Sequence, residues 1–460
     1  MNALGAFISD YLDKTRQFSR NANLYVLHVI GMDMIHGSWT VLFNLYLLAI
    51  GFDIRFIGLR LVVEGIARAI TAVPAGLVSD RIGRKASFIL GDGVGALFGL
   101  AMISTRDESA LLVLPALGAF FGNLHHTAEP AFMAENSKPA ERVHLFAVAG
   151  SLRTFSAMGG ALIAGLAPAL FVNSVGLVDA YRYATYAGLA LWFLSLIPAV
   201  MLRSLEAEER PEEEFARRDA LDARSARGGA RRWSLRRLAG RLTEGITHPR
   251  RIAFFVLTSA FLSFGFGAIG PLINVAFHEG QVHAGDTDIG VMFAVGELGL
   301  AAATLLIPLI ASRMLKVDAI VVTRLLALPF VFAMGLLPVM MGEGQLLLLL
   351  VGASYVGRIT IFRMSSPLDD AFNMDVLDAR ERATNTGIEI AVGGALSALA
   401  ILIGSRLLDS GDFTTPFMIM GVSFAISTLI YWRAFRPLEL SELRVSEAAA
   451  ASSSVAGGGE

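Results

Sequence analysis

Apolar runs about 20 residues long recur twelve times along this 460-residue chain, and that recurrence limits its fold more than any other feature. They lie near residues 24–50, 57–78, 86–104, 109–133, 143–170 and 180–202. A second set lies near 252–277, 287–311, 318–341, 345–366, 384–407 and 416–435. Each run is long enough to cross a bilayer as a helix. Inside lipid only helices and closed barrels satisfy their own backbone polar groups. Charged residues make up 17% of the chain, against roughly 25% in a soluble domain. The expectation is an all-α membrane protein of about twelve transmembrane helices in two six-helix bundles, 1–203 and 252–437. A charged linker at 204–251 joins them, and a disordered tail at 438–460 follows.

Several classes are excluded at once. There is no cysteine, so disulfides, thiolate metal sites and thiol nucleophiles are absent. A net charge of −2 points to no nucleic-acid partner. The first twenty residues lack the apolar core and cleavage site of a signal peptide. Instead Leu4, Phe7, Ile8, Tyr11 and Leu12 recur at helical spacing, which suits a surface helix. In the linker an acidic stretch, EAEERPEEEF, precedes a basic one. There Leu235, Leu238, Leu242 and Ile246 share a face opposite Arg232, Arg236 and Arg237. That pattern suits a helix lying on anionic lipid, and a solvated linker fits equally well.

Loop charges set the orientation. Lys14, Arg16, Arg20, Arg81, Arg84, Lys85, Lys138, Arg142, Arg313, Lys316, Arg380, Arg382, Arg433 and Arg436 collect on one side with the linker. Only Arg55, Arg106, Arg182 and Arg406 fall opposite. Both termini are therefore expected in the cytoplasm of a cell-membrane protein.

The two sets of runs also resemble each other. Gly37-x6-Asn44 in the first returns as Gly267-x6-Asn274 in the seventh, and Glu64 returns as Glu297. Arg81 returns as Arg313, and Asp92 as Arg324. The element Glu135-x6-Arg142 after the fourth returns as Asp375-x6-Arg382 after the tenth. The pattern AxGGALxA at Ala157 and Ala391 also matches, but at an offset six residues shorter. An internal duplication follows, with the two pseudo-symmetric bundles rocking about a central site.

Between the second and third runs stands Gly76-x3-Asp80-Arg81-x-Gly83-Arg84-Lys85. Gly76 permits close helix approach and Gly83 a tight turn. Asp80 is placed to meet the positive N-terminus of the eleventh helix. Arg81, Arg84 and Lys85 are placed to pair with Glu135 or Glu141. Such contacts form a latch on the cytoplasmic face. The motif resembles the signature loop of the major facilitator superfamily, and the paired acidic-x6-Arg elements resemble that superfamily's repeated cytoplasmic motif. The resemblance spans residues 20–437. It implies a two-bundle secondary carrier whose first, fourth, seventh and tenth helices line a central cavity. Gly118 stands where drug–proton antiporters carry an arginine, and MLRSLEAEERPEEE replaces the sugar-porter ending of the sixth helix. No subfamily follows.

Ionisable residues inside membrane helices are expensive and so are functional candidates. Asp33, His36, Thr40 and Asn44 share one face of the first helix. Asp33 and His36 suit cation binding or proton exchange, or else satisfy each other. In the fourth, His125 or His126 with Glu129 suits a proton relay or a structural pair. Asn274 is the duplicate of Asn44. Arg358 suits an anionic substrate group or a fixed pair with Glu389 or another acid. The external HEGQVHAGDTD segment lacks regular metal-ligand spacing. No nucleophile elbow or phosphate-binding loop is present, so no enzyme and no cofactor are expected. The expected function is secondary transport of a small solute, with lipid around the protein and protons as coupling ion. The alternative is a transporter-fold sensor or assembly factor without flux.

Overall fold

The computed structural model describes residues 18–203, 247–304, 306, 307, 310 and 313–457. The surface helix expected before residue 18 and the amphipathic stretch expected in the linker lie outside the described residues. Twelve long helical segments stand among the described residues. The first six are α1 (Arg20–Ala49), α2 (Ile54–Ile82), α3 (Arg84–Ser104), α4 (Glu108–Glu135), α5 (Pro139–Val175) and α6 (Leu177–Val200). The second six are α7 (Pro249–Glu279), α8 (Asp286–Thr304), α9 (Lys316–Met341), α10 (Gln345–Val376), α11 (Ala379–Asp409) and α12 (Thr415–Gly457). Eleven of them are long and apolar enough to span a membrane by hydropathy alone. The twelfth is α4, whose Asn123, His125, His126 and Glu129 lower its hydropathy.

The chain's punctuation explains where helices start and stop. Ser19, Asp53 and Asp107 cap α1, α2 and α4, their side-chain oxygens accepting from Ala22, Phe56 and Ala110 N–H groups. Gly83 ends α2 and opens α3 with φ of 85°, a left-handed conformation that disfavours a Cβ. Two crossings are broken. In α7 a 3-10 turn covers Gly270–Leu272, where Pro271 has no N–H to give the ladder. In α10 the helix stops at Arg363 and restarts at Ser366, with Pro367 in the restarting turn. The tail departs from the disorder expected of 438–460: α12 continues across Leu438 to Gly457. Its EAAAA run has high helix propensity, and no proline or glycine falls between Pro437 and Gly457.

The main packing contacts of the first half have counterparts in the second: α1 on α5 and α6, α7 on α11 and α12. Glycine sets the close approaches. A Cβ on Gly37 would enter the Ala157 carbonyl, and one on Gly267 would come within 2.6 Å of the Ser397 carbonyl. Ala157 and Ser397 are 240 residues apart, the separation that also relates Glu135 to Asp375 and Arg142 to Arg382. The duplication therefore keeps this register through α5 and α11. The AxGGALxA match at the shorter offset does not pair equivalent positions.

Two seams join the halves, α2 with α11 and α5 with α8. Gly58 meets Ser405 in one, and Gly165 meets Gly290 in the other. Ser405 and Gly165 are again 240 residues apart, so the seams are symmetry mates. A single hydrophobic core, with Tyr46, Ile103, Tyr181, Phe277 and Tyr355, runs through both halves at the end opposite the Gly76–Lys85 loop. At the loop end the core divides. Tyr25, Phe88 and Phe132 pack in the first half, while Phe255, Phe372 and Phe435 pack separately in the second.

Gly37→Ala should lower the stability of detergent-purified protein by about 1–3 kcal/mol, because a methyl there overpacks a backbone carbonyl. Gly65 has open space around its Cβ position. Gly65→Ala should therefore leave the melting temperature unchanged or raised, and equal melting of the two variants would refute the packing argument.

Candidate functional site

At the loop end, the signature residues bind mainly within their own bundle. Arg84 donates to Asp80 at 2.8 Å and lies 3.5 Å from Glu135, as the sequence anticipates for Glu135. The Asp80 side chain is 46% exposed, and its described partner is Arg84 rather than the start of α11. Arg81 is exposed and Lys85 half-buried, and neither forms an ion pair among the described residues.

The acidic-x6-Arg elements prove to be paired staples. Glu135 sits by Arg84 at the start of α3, and Asp375 by Lys316 at the start of α9, 2.5 Å away. Arg142 donates to the Ala134 carbonyl, and Arg382 to the equivalent Met374 carbonyl. These bonds close the C-terminal ends of α4 and α10, whose last carbonyls have no partner in the helix. Next to them Glu141 accepts from the Lys138 N–H at 3.0 Å, and Glu381 from the Asp378 N–H at 3.3 Å. Glu381 does more. It also accepts from the Thr247 N–H at 2.6 Å, the Thr247 hydroxyl at 2.9 Å and the His248 N–H at 2.7 Å. It thereby ties the start of α7 to the start of α11.

At the opposite end, Asn44 and Asn274 form a reciprocal clamp. The Asn44 amide donates to the Pro271 carbonyl at 3.0 Å and to Asn274 at 3.3 Å. Asn274 donates back to the carbonyls of Thr40 and Val41, at 3.2 and 3.0 Å. Both asparagines are buried. They join the halves at this end by hydrogen bonds to each other and to main-chain carbonyls. Tyr181 donates to Asp286 at 2.8 Å, Thr287 to the Gly165 carbonyl at 3.0 Å, and Arg55 pairs with Asp409 at 2.6 Å. All these bonds between halves lie at the same end.

Between the two ends the expected pairings are rearranged. Asp33 does not pair with His36. It stands 3.6 Å from Arg153 of α5, which forms a close ion pair with Glu129 of α4. Arg153, left without a role by the sequence, is thus the centre of a carboxylate–guanidinium–carboxylate group. His36 and His126 are exposed. The nearest charges to His36 are Arg68 and Glu64 of α2, themselves an ion pair at 3.0 Å. His125 is not Glu129's partner. Its Nδ1 lies 2.8 Å from Asp92, which also lies 2.8 Å from His28 Nε2. His28 was not singled out by the sequence. Its signal was an intramembrane histidine one turn after Tyr25. Arg358 is buried over the Tyr355 ring, 5.5 Å from its centroid, with no carboxylate beside it among the described residues. Neither Glu389 nor Asp33 pairs with it there.

His28, Asp92 and His125 are the kind of groups that bind metal. Their 2.8 Å separations are hydrogen-bond lengths. Donors around one tetrahedral ion with bonds of about 2.1 Å stand roughly 3.4 Å apart. In this arrangement the cluster is hydrogen-bonded.

The profile of the Major Facilitator Superfamily matches residues 24–366. The chain belongs to that superfamily. No curated protein matches it in sequence. Among solved structures, the nucleoside transporter NupG is 15% identical with a TM-score of 0.66, over 91% of this chain and 99% of that one. The inward-open xylose transporter XylE from E. coli is also 15% identical, with a TM-score of 0.66, over 91% and 96% of the two chains. A structure described for proton dependent oligopeptide transporters is 13% identical with a TM-score of 0.68, over 92% and 100%. These likenesses establish the fold. The protein is a multi-pass membrane transporter of the solute-carrying kind.

Burial works to raise the Glu381 carboxyl pKa, but the hydrogen bonds from His248, Thr247 and Asp378 outweigh it and hold the group at about 2, below its ordinary 4.5. A depressed carboxylate stabilises the fold above its unfolded pKa and loses that effect as pH falls through the folded one. The melting difference between wild type and Glu381→Gln should therefore be full above pH 4.5 and shrink as pH falls towards about 2. A difference that does not vary with pH would show that Glu381 acts by shape alone.

Proposed function

We propose that the protein moves a small polar organic solute across the cell membrane by alternating access, coupled to protons, with the signature loop and both termini in the cytoplasm. The observation that carries this reading is the divided core: one hydrophobic core spans both halves at the external end, and two separate cores stand apart at the cytoplasmic end. Such an arrangement is an inward-facing state, closed outside and parted inside. The loop charges described above fit that orientation.

Glycine placement supports the opposite state as well. Gly76 lies 18 residues, or five helical turns, beyond Gly58 on α2, and Gly387 lies 18 before Ser405 on α11. Gly58 touches Ser405 in the external seam, so the same two faces carry Gly76 and Gly387 towards each other at the parted end. Closure there brings Asp80 towards the first turn of α11. The latch expected of the loop thus belongs to the inward-closed state. Solute class is supported by the neighbours, which are transporters of nucleosides, xylose and oligopeptides. Proton coupling is supported by Asp33 and Glu129 sharing the single guanidinium of Arg153, which leaves one negative charge for a proton to neutralise.

Proteoliposomes carrying the purified protein should accumulate at least one solute from a panel of nucleosides, pentoses and dipeptides when a pH gradient is imposed. Asp33→Asn should abolish accumulation while retaining exchange. Asp80→Asn should slow flux by on the order of tenfold or more without altering insertion. Wild-type rates in the Asp80 variant would remove the latch. In this cysteine-free chain, Gly76→Cys with Gly387→Cys should crosslink, and a solute that drives the protein inward-open should suppress the crosslink. No crosslink under any condition would rule out closure along this seam.

A further inference from the structure

We propose that His28, Asp92 and His125 form the inner site that the coupling proton reaches after entering at the Asp33–Arg153–Glu129 group, an inference that rests on the proton-coupled reading above. The argument begins with hydrogen-bond roles. His28 Nδ1 lies 2.7 Å from the Ser195 carbonyl oxygen, which can only accept, so Nδ1 carries a hydrogen. His28 Nε2 lies 2.8 Å from Asp92 Oδ2. A neutral imidazole has only one N–H, and here it is already committed. The second bond therefore requires one further proton, either on Nε2 or on the carboxyl of Asp92. His125 Nδ1 meets the same Oδ2 at 2.8 Å and donates to it. The group thus holds one proton beyond neutral histidines and an ionised aspartate.

Burial makes that proton consequential. His28, Asp92 and His125 are 0%, 3% and 1% exposed. Loaded, the group is neutral overall. Unloaded, it leaves a lone pair of His28 facing a carboxylate, with one uncompensated negative charge in the bundle. That arrangement repels across the bond that joins α1 to α3 at this level; nearer the opposite end the Tyr46 hydroxyl still donates to the Ile103 carbonyl at 2.7 Å. Loss of the proton must therefore loosen α1, which also carries Asp33 and the clamp residue Asn44. Glycines keep the groups this close: Gly91 sets α3 against the backbone of α4 at Phe121 and His125, and Gly31 sets α1 against Ser195 of α6.

A route to the site is present. The Tyr25 hydroxyl lies 3.2 Å from His125 Nε2 and faces Arg153 and Asp33. Arg153 is one-third exposed. A proton taken up by Tyr25 from that side displaces the hydroxyl proton to His125 Nε2. His125 releases its Nδ1 proton to Asp92 and Asp92 passes one to His28, so one proton moves and no electron does. His125 is then protonated on Nε2, and a turn of its ring restores a donor to Asp92 in the loaded arrangement. The other charged groups near this route are Glu129 of α4, His126 beside His125, and Arg68 of α2. The second half has a brace in the corresponding place, where Arg324 replaces Asp92. Arg324 and Tyr431 both donate to Asp369, each at 2.7 Å. Arginine braces without titrating. The first half alone uses histidine.

The test needs no substrate. A single cysteine at Gly387, where the Cβ position is open, reports cytoplasmic opening by its labelling rate in the purified, reconstituted full chain. In wild type that rate should change on the order of tenfold between pH 5.5 and 8.5. Asp92→Asn and His28→Gln should flatten the response, while His125→Asn, which keeps a donor to Asp92 but cannot relay, should slow it. In parallel, nitrogen-15 histidine spectra at pH 7 should show His28 protonated on both ring nitrogens, or infrared spectra should show a protonated Asp92 carboxyl. A wild type whose labelling ignores pH defeats proton coupling itself. A wild type that responds, with folded Asp92 and His125 variants responding equally, keeps the coupling and overturns this site.

Discussion

Contact of helix backbones at glycine is the constraint on which the rest of the structure depends. Lipid offers no hydrophobic reward for bringing two helices together, so association comes from van der Waals packing and interhelical hydrogen bonds at small residues. Gly37 on Ala157 and Gly267 on Ser397 fix α1 and α7 in their bundles, and Gly58 on Ser405 with Gly165 on Gly290 fix the bundles to each other. Each polar feature follows from these approaches. Asn44 reaches the Pro271 carbonyl because the seams between the halves are tight, His28 reaches Ser195 because Gly31 lets α6 come near, and His125 reaches Asp92 because Gly91 lets α4 come near.

Charge is distributed to match that geometry. The ends of the bundles carry exposed pairs such as Arg84 with Asp80 and Lys316 with Asp375, where water screens them and each adds little to the stability of this state. The interior carries few charges, and most are counterbalanced within one hydrogen-bond length. Arg358 stands apart: its guanidinium meets the Tyr355 ring rather than a carboxylate. The family's repeated loop element also gains a physical account. Its arginine satisfies the terminal carbonyls of the preceding helix, its acid meets the cation opening α3 or α9, and the glutamate just before the arginine caps the following helix.

Much of the fold was legible because membrane helices advertise themselves locally. The twelve runs, the Gly83 turn, the duplicated Asn44 and Asn274 and the loop motif are all read from spacing along one segment. Pairings between helices were less legible, because they depend on each helix's rotation about its axis. Arg153 had no assigned partner, although Glu129 and Asp33 meet it from two other helices. Glu129 was given His125 or His126 of its own helix as partner, whereas the bonds of His125 run to Asp92 and Tyr25. The AxGGALxA match failed for a related reason. In a sequence rich in alanine and glycine, identity of letters is weaker evidence of register than equivalent contacts, and the contacts fix the separation at 240 residues.

The break in α7 has a mechanical meaning. At Gly270–Leu272 the ladder changes from α to 3-10, and the Pro271 carbonyl there points to Asn44 instead of to its own helix. The clamp between the halves is therefore built partly from main chain, and α7 departs from regular winding where it forms. Separating the two asparagines removes the partner that holds this carbonyl outward, which frees the segment to tighten or rewind.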